Sequence, residues 1–207
     1  MEERLILFGA GGHAKVVLEA FLAGCPAGEV AVLDDDPARV GSALLGHKIR
    51  GGRAWLASNW PSVAVMPALG DNRRRDDLIG ELARIRRPLR TVIHPAATVS
   101  PSARIGGGCL LAAGAIVNAE AELEDGVIVN TGASVDHDCR IGRAAHIAPG
   151  ARLCGNVRIG ARALVGTAAA LIPGVEIGED AVIGAGSAVV RAIPARETWA
   201  GSPARRL

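Results

Sequence analysis

Residues 130–153 read NTGASV-DHDCRI-GRAAHI-APGARL when the chain is divided every six residues. The sixth position of each hexad is aliphatic, and the fourth is a small residue or Val. The same register extends in both directions over 16 hexads, from residue 94 to residue 189, without a slip in phase. A hexad is too short for a helical repeat, so this period indicates a repetitive β architecture in which neighbouring units stabilise one another.

The hexads predict a short strand and a turn per repeat, forming one side of a triangular prism. Three hexads then make one coil of about 18 residues, and stacked coils bury a continuous ladder of aliphatic side chains. We therefore predict that residues 91–207 form an all-β left-handed parallel β-helix of hexapeptide repeats. At about 18 residues per coil, the hexads make a little more than five coils. Such a fold is an exception to the right-handed crossover rule. Residues 193–203 lose the phase and are expected to fold back over the last coil as a cap.

Residues 1–90 alternate between strand and helix patterns and predict a separate α/β unit. Apolar runs predict three strands and apolar residues at helical spacing predict two helices, over residues 5–8, 14–22, 30–33, 63–66 and 73–87. The order of these elements is typical of a Rossmann-like half with a parallel sheet. Its Gly- and Asp-rich loops are expected to meet at the carboxyl edge of that sheet, where ligands of open α/β sheets bind.

The two helices carry apolar stripes that predict which side chains they bury. For the first helix these are Val16, Val17, Ala20 and Phe21, and for the second they are Leu78, Leu82 and Ile85. Asn72 is expected to be the N-cap of the second helix.

The loop after the first strand resembles the dinucleotide fingerprint, with Gly9, Gly11 and Ala14 in its pattern and Asp34 20 residues beyond Ala14. Glycines at a helix N-terminus let backbone amides approach a phosphate closely. A nicotinamide or flavin cofactor and a structural turn without a ligand are both alternatives. The unit has room for only half of a dinucleotide fold, which favours a nucleotide sugar. His13 is either a phosphate contact or an exposed residue at the start of a helix.

Composition narrows the classes of function. The 207 residues carry a net charge of +2, which argues against nucleic acid as a partner. No apolar run approaches the ~18 residues that span a bilayer, and no leader precedes the first strand, so we expect no membrane span and a cytoplasmic location. The four cysteines are Cys25, Cys109, Cys139 and Cys154. Their spacing does not match a metal-binding motif, so we predict buried free thiols and expect no metal site.

The turn Asp136-His137-Asp138 is the most polar point of the repeat. An imidazole with a pKa near its ordinary value can take a proton at neutral pH, as the attack of an amine or hydroxyl on a thioester requires. A neighbouring carboxylate can fix its tautomer, but Asp138 reaches the ring only if the chain turns here. A glycine-bearing turn such as Gly155-Asn156 offers a backbone amide to the developing oxyanion. The alternative is a solvated surface turn without function.

The chain resembles the acetyltransferases of nucleotide-linked 4-amino sugars of the PglD type, and their sialic-acid O-acetyltransferase relatives of the NeuD type. The resemblance rests on the motifs FGAGGHAKVV, VLDDD, ALGDN, IHPAATVSPSA, VNTGASVDHDCRIG, HIAPGARLCGNVRIG and AGSPARRL, which together cover nearly the whole chain. It implies acetyl-CoA as the co-substrate, a nucleotide-linked amino sugar (UDP-linked) as the acceptor, and a homotrimer with sites in the grooves between subunits.

The resemblance also assigns residues. His137 stands at the position of the general base, and Asp138 stands where the family usually has a glutamate. The coenzyme-binding positions are His146, Gly155, Gly166, Thr167 and Ala185. The positions that bind the nucleotide sugar are Gly9, Gly11, Gly12, His13, Asp34, Asp35, Gly70, Asp71 and Asn72. The implied reaction is direct transfer of acetyl to the C4 amine of a UDP-linked 4-amino-4,6-dideoxy sugar in a ternary complex, and no acyl-enzyme is expected. Cys139, two residues from His137, would be the nucleophile of an acyl-enzyme, but its place at the small position of its hexad predicts that it points inward.

Four other functions stay open on the sequence alone. Two lie within the family, O-acetylation of a sialic acid and N-acetylation of a GDP-perosamine-type sugar. A γ-type carbonic anhydrase needs three histidines that converge on a metal, whereas His94, His137 and His146 occupy different hexad positions. A non-enzymatic scaffold that binds nucleotide sugars would release no thiol from acetyl-CoA.

Overall fold

The N-terminal unit is a three-stranded parallel sheet flanked by helices. The computed structural model describes residues 4–207. The elements of this unit are β1 (Arg4–Phe8), α1 (Gly12–Gly24), β2 (Glu29–Leu33), β3 (Ala43–Leu44), β4 (His47–Lys48), α2 (Arg53–Ser58), β5 (Val65–Pro67) and α3 (Asn72–Arg84). The sheet has the order β2-β1-β5, and β3 and β4 form a separate antiparallel hairpin. The predicted parallel sheet and both predicted helices are confirmed, whereas the hairpin and α2 had no clear sequence signal.

Details of the helices differ from the predictions. Asp71, not Asn72, is the N-cap of α3, because its carboxylate accepts a hydrogen bond from the backbone amide of Arg74 at 2.8 Å. The prediction of Ile85 as a buried residue is wrong, since α3 ends at Arg84 and Ile85 is 62% exposed. Val16 is likewise exposed on α1, where Leu18 is buried instead.

The rest of the chain forms a parallel β-helix whose short strands alternate among three faces. Face 1 contains β6 (Val92–Ile93), β9 (Leu110–Leu111), β12 (Ile128–Val129), β15 (His146–Ile147), β18 (Leu164–Val165), β21 (Val182–Ile183), β23 (Thr198–Ala200) and β24 (Arg205–Arg206). Face 2 contains β7 (Thr98–Val99), β10 (Ile116–Val117), β13 (Ser134–Val135), β16 (Arg152–Leu153), β19 (Ala170–Leu171) and β22 (Ala188–Val189). Face 3 contains β8 (Arg104–Ile105), β11 (Glu122–Leu123), β14 (Arg140–Ile141), β17 (Arg158–Ile159) and β20 (Glu176–Ile177).

The register confirms the hexad prediction. Strands on adjacent coils pair in parallel, for example Val117 with Val135, 18 residues on. The fourth and sixth positions of the hexads form one continuous core, partly buried in the first coil and almost fully buried beyond it. The third residue of every hexad from 106 to 189 has a positive φ and turns the chain from one face to the next. Strands begin at Val92 and a further parallel strand lies at Thr198–Ala200, so the left-handed helix has about six coils, against the prediction of a little over about five.

The C-terminal segment first extends the β-helix and then closes it. β23 pairs in parallel with β21 and adds a further strand to face 1. β24 then folds back antiparallel to β23, and Ala204 enters the core of the last coil. The predicted cap is therefore present, but it starts later than residue 193.

The α/β unit packs on face 1. Outward residues of this face, Leu110, Ala112 and Ile128, share one core with the residues of β1, β2 and α1. Leu89 still bridges to Val65 of β5, and Val92 already pairs with face 1. Within residues 4–207, no helix has the length and apolar character needed to cross a membrane.

Candidate active site

The predicted site residues of the β-helix lie at or near the corners of the prism, which are named here by the two faces that they join. The 1–2 corner joins faces 1 and 2, as at residues 130–132; the 2–3 corner joins faces 2 and 3, as at residues 136–138. The 3–1 corner joins faces 3 and 1, as at residues 142–144.

His137 lies at the 2–3 corner, where the chain makes the turn that the predicted contact with Asp138 requires. Asp138 has a φ of 59°, in the left-handed region that Asp tolerates better than most residues. This turn brings its Oδ2 to 2.7 Å from Nδ1 of His137. The His137 side chain is 54% exposed, and the hydrogen bond from the ring to Asp138 raises the pKa of His137 above its ordinary value.

Asp136 has a different role from Asp138. Its Oδ1 accepts hydrogen bonds from the Asn118 side-chain amide at 2.9 Å and from the His137 backbone amide at 2.8 Å. The bond from Asn118 is the main cause of a lowered pKa for Asp136. Asp136 therefore holds the backbone of the turn, whereas Asp138 holds the imidazole ring.

Gly155 occupies the position one coil beyond His137. A Cβ atom at this glycine would overlap Cε1 of the His137 ring. The ring therefore rests on the bare backbone of Gly155, which the absence of a side chain makes possible. The sequence pointed to Gly155 only as a source of an amide; its steric role requires knowledge of the stacking register.

Cys139 points into the β-helix. It is fully buried, its Sγ lies 3.2 Å from the carbonyl oxygen of Cys154, and burial raises the pKa of the thiol to about 11. A protonated, inward-facing thiol is a poor nucleophile at neutral pH. Cys109 is also buried, whereas Cys25 is only partly buried and Cys154 is exposed, so the prediction of buried thiols is wrong for the last two.

The loops of the α/β unit form a cleft of about 360 Å³ at the carboxyl edge of the sheet. Its walls contain three of the predicted glycines, Gly11, Gly12 and Gly70, together with His13. A smaller cleft beside it is lined by Gly9, among others. The predicted loops therefore do meet. Gly9 is needed for this meeting, because its φ is 118° and a Cβ there would lie 2.6 Å from the carbonyl oxygen of Ala68.

The acids expected to bind the substrate are already engaged. Asp34 accepts a hydrogen bond from the backbone amide of Ala10 at 2.8 Å, and this bond joins the loop after β2 to the loop after β1. Asp35 accepts from the amide of Arg53 at 3.2 Å and forms an ion pair with the Arg53 side chain. The same cleft contains two arginines that the sequence did not single out, Arg39 and Arg74. They supply positive charge beside the N-terminus of α1, as a diphosphate requires.

Asn72 faces the β-helix and not the cleft. Its side-chain amide donates to the carbonyl oxygens of Arg162 at 2.9 Å and Ala163 at 3.2 Å, and its Oδ1 accepts from Arg75 at 2.8 Å. The structure thus places Asn72 in the junction between the two units. Asp71 lines the cleft while capping α3.

His13 and His146 meet across this junction, with ring centroids 6.3 Å apart. Both are mostly buried beside Arg75, and burial followed by the arginine charge lowers the pKa of His13 to about 4 and that of His146 to about 3. In the described part of the chain, Nε2 of His13 is the one buried side-chain nitrogen or oxygen without a hydrogen-bond partner. His13 is therefore not the exposed helix-start residue that the sequence left open.

The remaining coenzyme positions lie along the 1–2 corner. Gly166 is buried, and a Cβ there would overlap the Ile183 carbonyl of the next coil. Thr167 and Ala185 are exposed on successive coils of the same corner. Together with His146 they form one line of positions on the side of the prism that carries the α/β unit.

Within one chain, the predicted site is therefore split. His137, Asp138 and Gly155 lie at the 2–3 corner, which is opposite face 1 in a triangular prism. The cleft, His146 and the line through Thr167 lie at face 1 and the 1–2 corner. Within a single subunit, the β-helix separates His137 from the cleft and from the line of positions through Thr167.

Two further observations concern alternative sites. An open groove of about 680 Å³ lies on face 3. It is lined by arginines and glutamates, among others, and by none of the predicted site residues. Over residues 4–207, no three His, Cys, Asp or Glu side chains converge in a way that could hold a metal ion. His94 and His137 lie at different corners, and His146 lies on face 1.

Comparisons with known proteins identify relatives of both units. A family model described as the PglD N-terminal domain matches residues 4–82. The UDP-N-acetylbacillosamine N-acetyltransferase of Bacillus subtilis (strain 168) is 38% identical over 121 residues, which are 54% of this chain and 52% of that protein. The match thus spans about half the length of this curated relative.

Solved structures match the chain over its full length. The acetyltransferase domain of PglB from Neisseria gonorrhoeae FA1090, in complex with acetyl coenzyme A, is 42% identical with a TM-score of 0.95, and covers 100% of both chains. A histidine-to-asparagine variant of perosamine N-acetyltransferase from Caulobacter crescentus, in complex with CoA and GDP-perosamine, is 41% identical with a TM-score of 0.90. That match covers 98% of this chain and 96% of the other.

Proposed function

The chain belongs to the PglD-type family of sugar acetyltransferases, and on that premise we propose that it transfers acetyl from acetyl-CoA to the C4 amine of a nucleotide-linked 4-amino-4,6-dideoxy sugar. The nucleotide we propose is UDP, and the general base is His137. The observation that carries the proposal is the 2.7 Å hydrogen bond between the His137 ring and Asp138, at an exposed turn of the hexad repeat.

The His137 turn supports the role of a base. Asp138 accepts from Nδ1 of the ring, which leaves the lone pair on Nε2 free to take a proton. In the proposed reaction the sugar amine attacks the thioester carbonyl carbon, and Nε2 accepts a proton from the amine nitrogen. The C–S bond then breaks, the amide forms, and CoA leaves as its thiol after proton return from the ring. Asp138 stabilises the imidazolium formed between these steps.

The split of the site supports assembly of a homotrimer. A base at the 2–3 corner and a nucleotide cleft on face 1 cannot act on one substrate within a subunit, because the prism lies between them. We propose that, in a ring of identical subunits closed by heterologous contacts, the 2–3 corner of one subunit lies against the 1–2 corner of the next. The neighbouring cleft, His146, Gly166, Thr167 and Ala185 would then complete the site around His137.

The lining of the cleft supports an acceptor sugar that is linked to a nucleoside diphosphate. Amides at the N-terminus of α1 and the guanidinium groups of Arg39 and Arg74 suit two phosphates. A GDP-linked sugar is the second candidate, because the Caulobacter relative crystallised with GDP-perosamine is 41% identical over almost the whole chain.

Release of CoA thiol from acetyl-CoA tests the proposal directly. UDP-linked and GDP-linked 4-amino sugars and free sialic acid are supplied as acceptors, and the amide or ester product is identified by mass. We expect thiol release with a UDP-linked amino sugar and a loss of about 10²–10⁴-fold in kcat for His137→Ala. Activity with a hydroxyl acceptor only, or an unchanged rate for His137→Ala, would overturn it; activity with the GDP-linked sugar alone would overturn the choice of nucleotide.

A further inference from the structure

Arg75 is a buried cation at the centre of the junction between the α/β unit and the β-helix. It is 0% exposed, and its guanidinium donates to the carbonyl oxygens of Leu69 at 2.7 Å, Gly126 at 2.8 Å and Ala144 at 2.7 Å. The first of these lies in a cleft loop, and the other two lie on successive coils. Burial lowers the pKa of Arg75 to about 10, so the group is still charged at neutral pH.

Asn130 fixes the hydrogen-bonding state of His146. The Oδ1 atom of Asn130 accepts from the backbone amide of Thr131 at 2.8 Å, so its Nδ2 is the end that faces the ring. Nδ2 lies 3.0 Å from Nε2 of His146. An amide nitrogen only donates, so Nε2 must accept, and the proton of the neutral ring therefore resides on Nδ1.

The charged groups around His146 also favour the neutral form of its ring. Arg75 on α3 and His13 on α1 are the titratable groups whose charges act on the ring, and its partners on adjacent coils are Ile128 and Leu164. No carboxylate forms an ion pair with this ring among the residues that the structure describes. A second proton on His146 would bring a positive charge toward Arg75 and set an N–H against the Asn130 amide.

We propose that Arg75 and Asn130 are positioning residues that hold His146 as a neutral ring protonated on Nδ1, so that it donates a fixed hydrogen bond to an oxygen atom of a bound substrate. His146 is then excluded as a second base, and His137 is left as the group that titrates during turnover. The role of His146 toward substrate rests on the proposed function, whereas its protonation state belongs to the free protein and does not.

The state of His146 is measured by NMR on the full chain labelled with ¹⁵N-histidine and without ligands. The signals are assigned with His146→Gln, and the two ring nitrogens are followed over a pH titration. We expect the Nδ1-protonated neutral form of His146 throughout the range in which His137 titrates. A midpoint for His146 in the neutral range, or a proton on Nε2 in the neutral ring, would overturn the proposal.

Variants separate positioning from folding. Asn130→Asp replaces the donor with an anionic acceptor and should raise the titration midpoint of His146 by about 1–3 pH units. Asn59→Asp, the same change at the end of α2, should leave the midpoint where it is. Arg75→Met should raise the midpoint as well, and Asn130→Asp tests the proposal even if Arg75→Met does not fold. An unmoved midpoint in Asn130→Asp would contradict it.

Activity measurements keep the two claims apart. If the proposed reaction fails with every acceptor while His146 keeps its Nδ1 proton, the function is wrong and the assignment of the ring stands. If the reaction proceeds but His146 titrates with His137, the function stands and the positioning role of Arg75 and Asn130 is wrong.

Discussion

The two histidine sites of this protein use opposite environments. His137 lies exposed on a turn with two aspartates, and its pKa is raised. His146 lies mostly buried at the junction of the two units, beside Arg75 and His13, and its pKa is lowered to about 3. The same side chain is thus proposed to act as a base at one position and as a neutral hydrogen-bonding group at the other. The opposite pKa shifts arise from neighbours that different parts of the fold supply.

The strongest way to break this contrast is to remove the cation at the junction. Arg75→Leu should lower the free energy of unfolding by at least about 3 kcal/mol, because two buried carbonyl groups and one partly buried carbonyl group lose their donor. Arg84→Leu, an exposed arginine of the same helix, should change it by less than about 0.5 kcal/mol. Urea unfolding at fixed protein concentration measures both. Equal stabilities for the two variants would show that Arg75 does not hold the junction.

A smaller change should disturb only the exposed histidine. Gly155→Ala places a methyl group where the His137 ring lies, and should reduce kcat about 10–100-fold by displacing the base. Gly155 does not have a left-handed φ, so the effect would not come from backbone strain. Gly80→Ala is the matched control, since its new methyl meets only a side-chain nitrogen at 3.6 Å. A full rate in Gly155→Ala would mean that the ring position is not needed for transfer.

The mildest change should alter the pH dependence of activity that His137 sets. The Asp138 hydrogen bond raises the pKa of His137, so activity that needs the neutral ring is lost as the pH falls through this raised value. Asp138→Asn keeps the left-handed turn and removes the carboxylate. It should move the acid limb of kcat/KM to lower pH and reduce kcat about tenfold at high pH. Asp138→Glu should restore the profile. An unmoved acid limb in Asp138→Asn would contradict the pairing.

The β-helix could be predicted from the sequence because each hexad repeats the same local information. An aliphatic sixth residue and a fourth residue that is small or Val suffice, since inside the prism each coil packs on its neighbours in the stack. The turn that joins Asp138 to His137 follows from that register, although its geometry needed the structure. The extra strand at the C-terminus follows no hexad and was missed for that reason.

The junction and the cleft could not be predicted because their partners are distant in sequence. Asp34 contacts the amide of Ala10, 24 residues away, and Asn72 contacts a carbonyl 90 residues away. Arg75 follows two other arginines in a run that reads as a solvated helix face, yet it alone is buried. Local sequence reports residue type, whereas these roles depend on which coil packs against α3.

The base and the nucleotide cleft of one site are proposed to come from different subunits, and mixing of two inactive variants tests this arrangement. One variant is His137→Ala, which lacks the base, and the other is His13→Ala with Arg74→Ala, which impairs the cleft. Each is prepared alone, and the two are then unfolded, mixed and refolded together. Random assembly leaves both halves intact in about one quarter of the sites, so we predict recovery of about one quarter of wild-type thiol release. Mixed assemblies that recover no activity, while wild-type protein refolded in the same way is active, would show that each site lies within one subunit and that no site is shared between subunits.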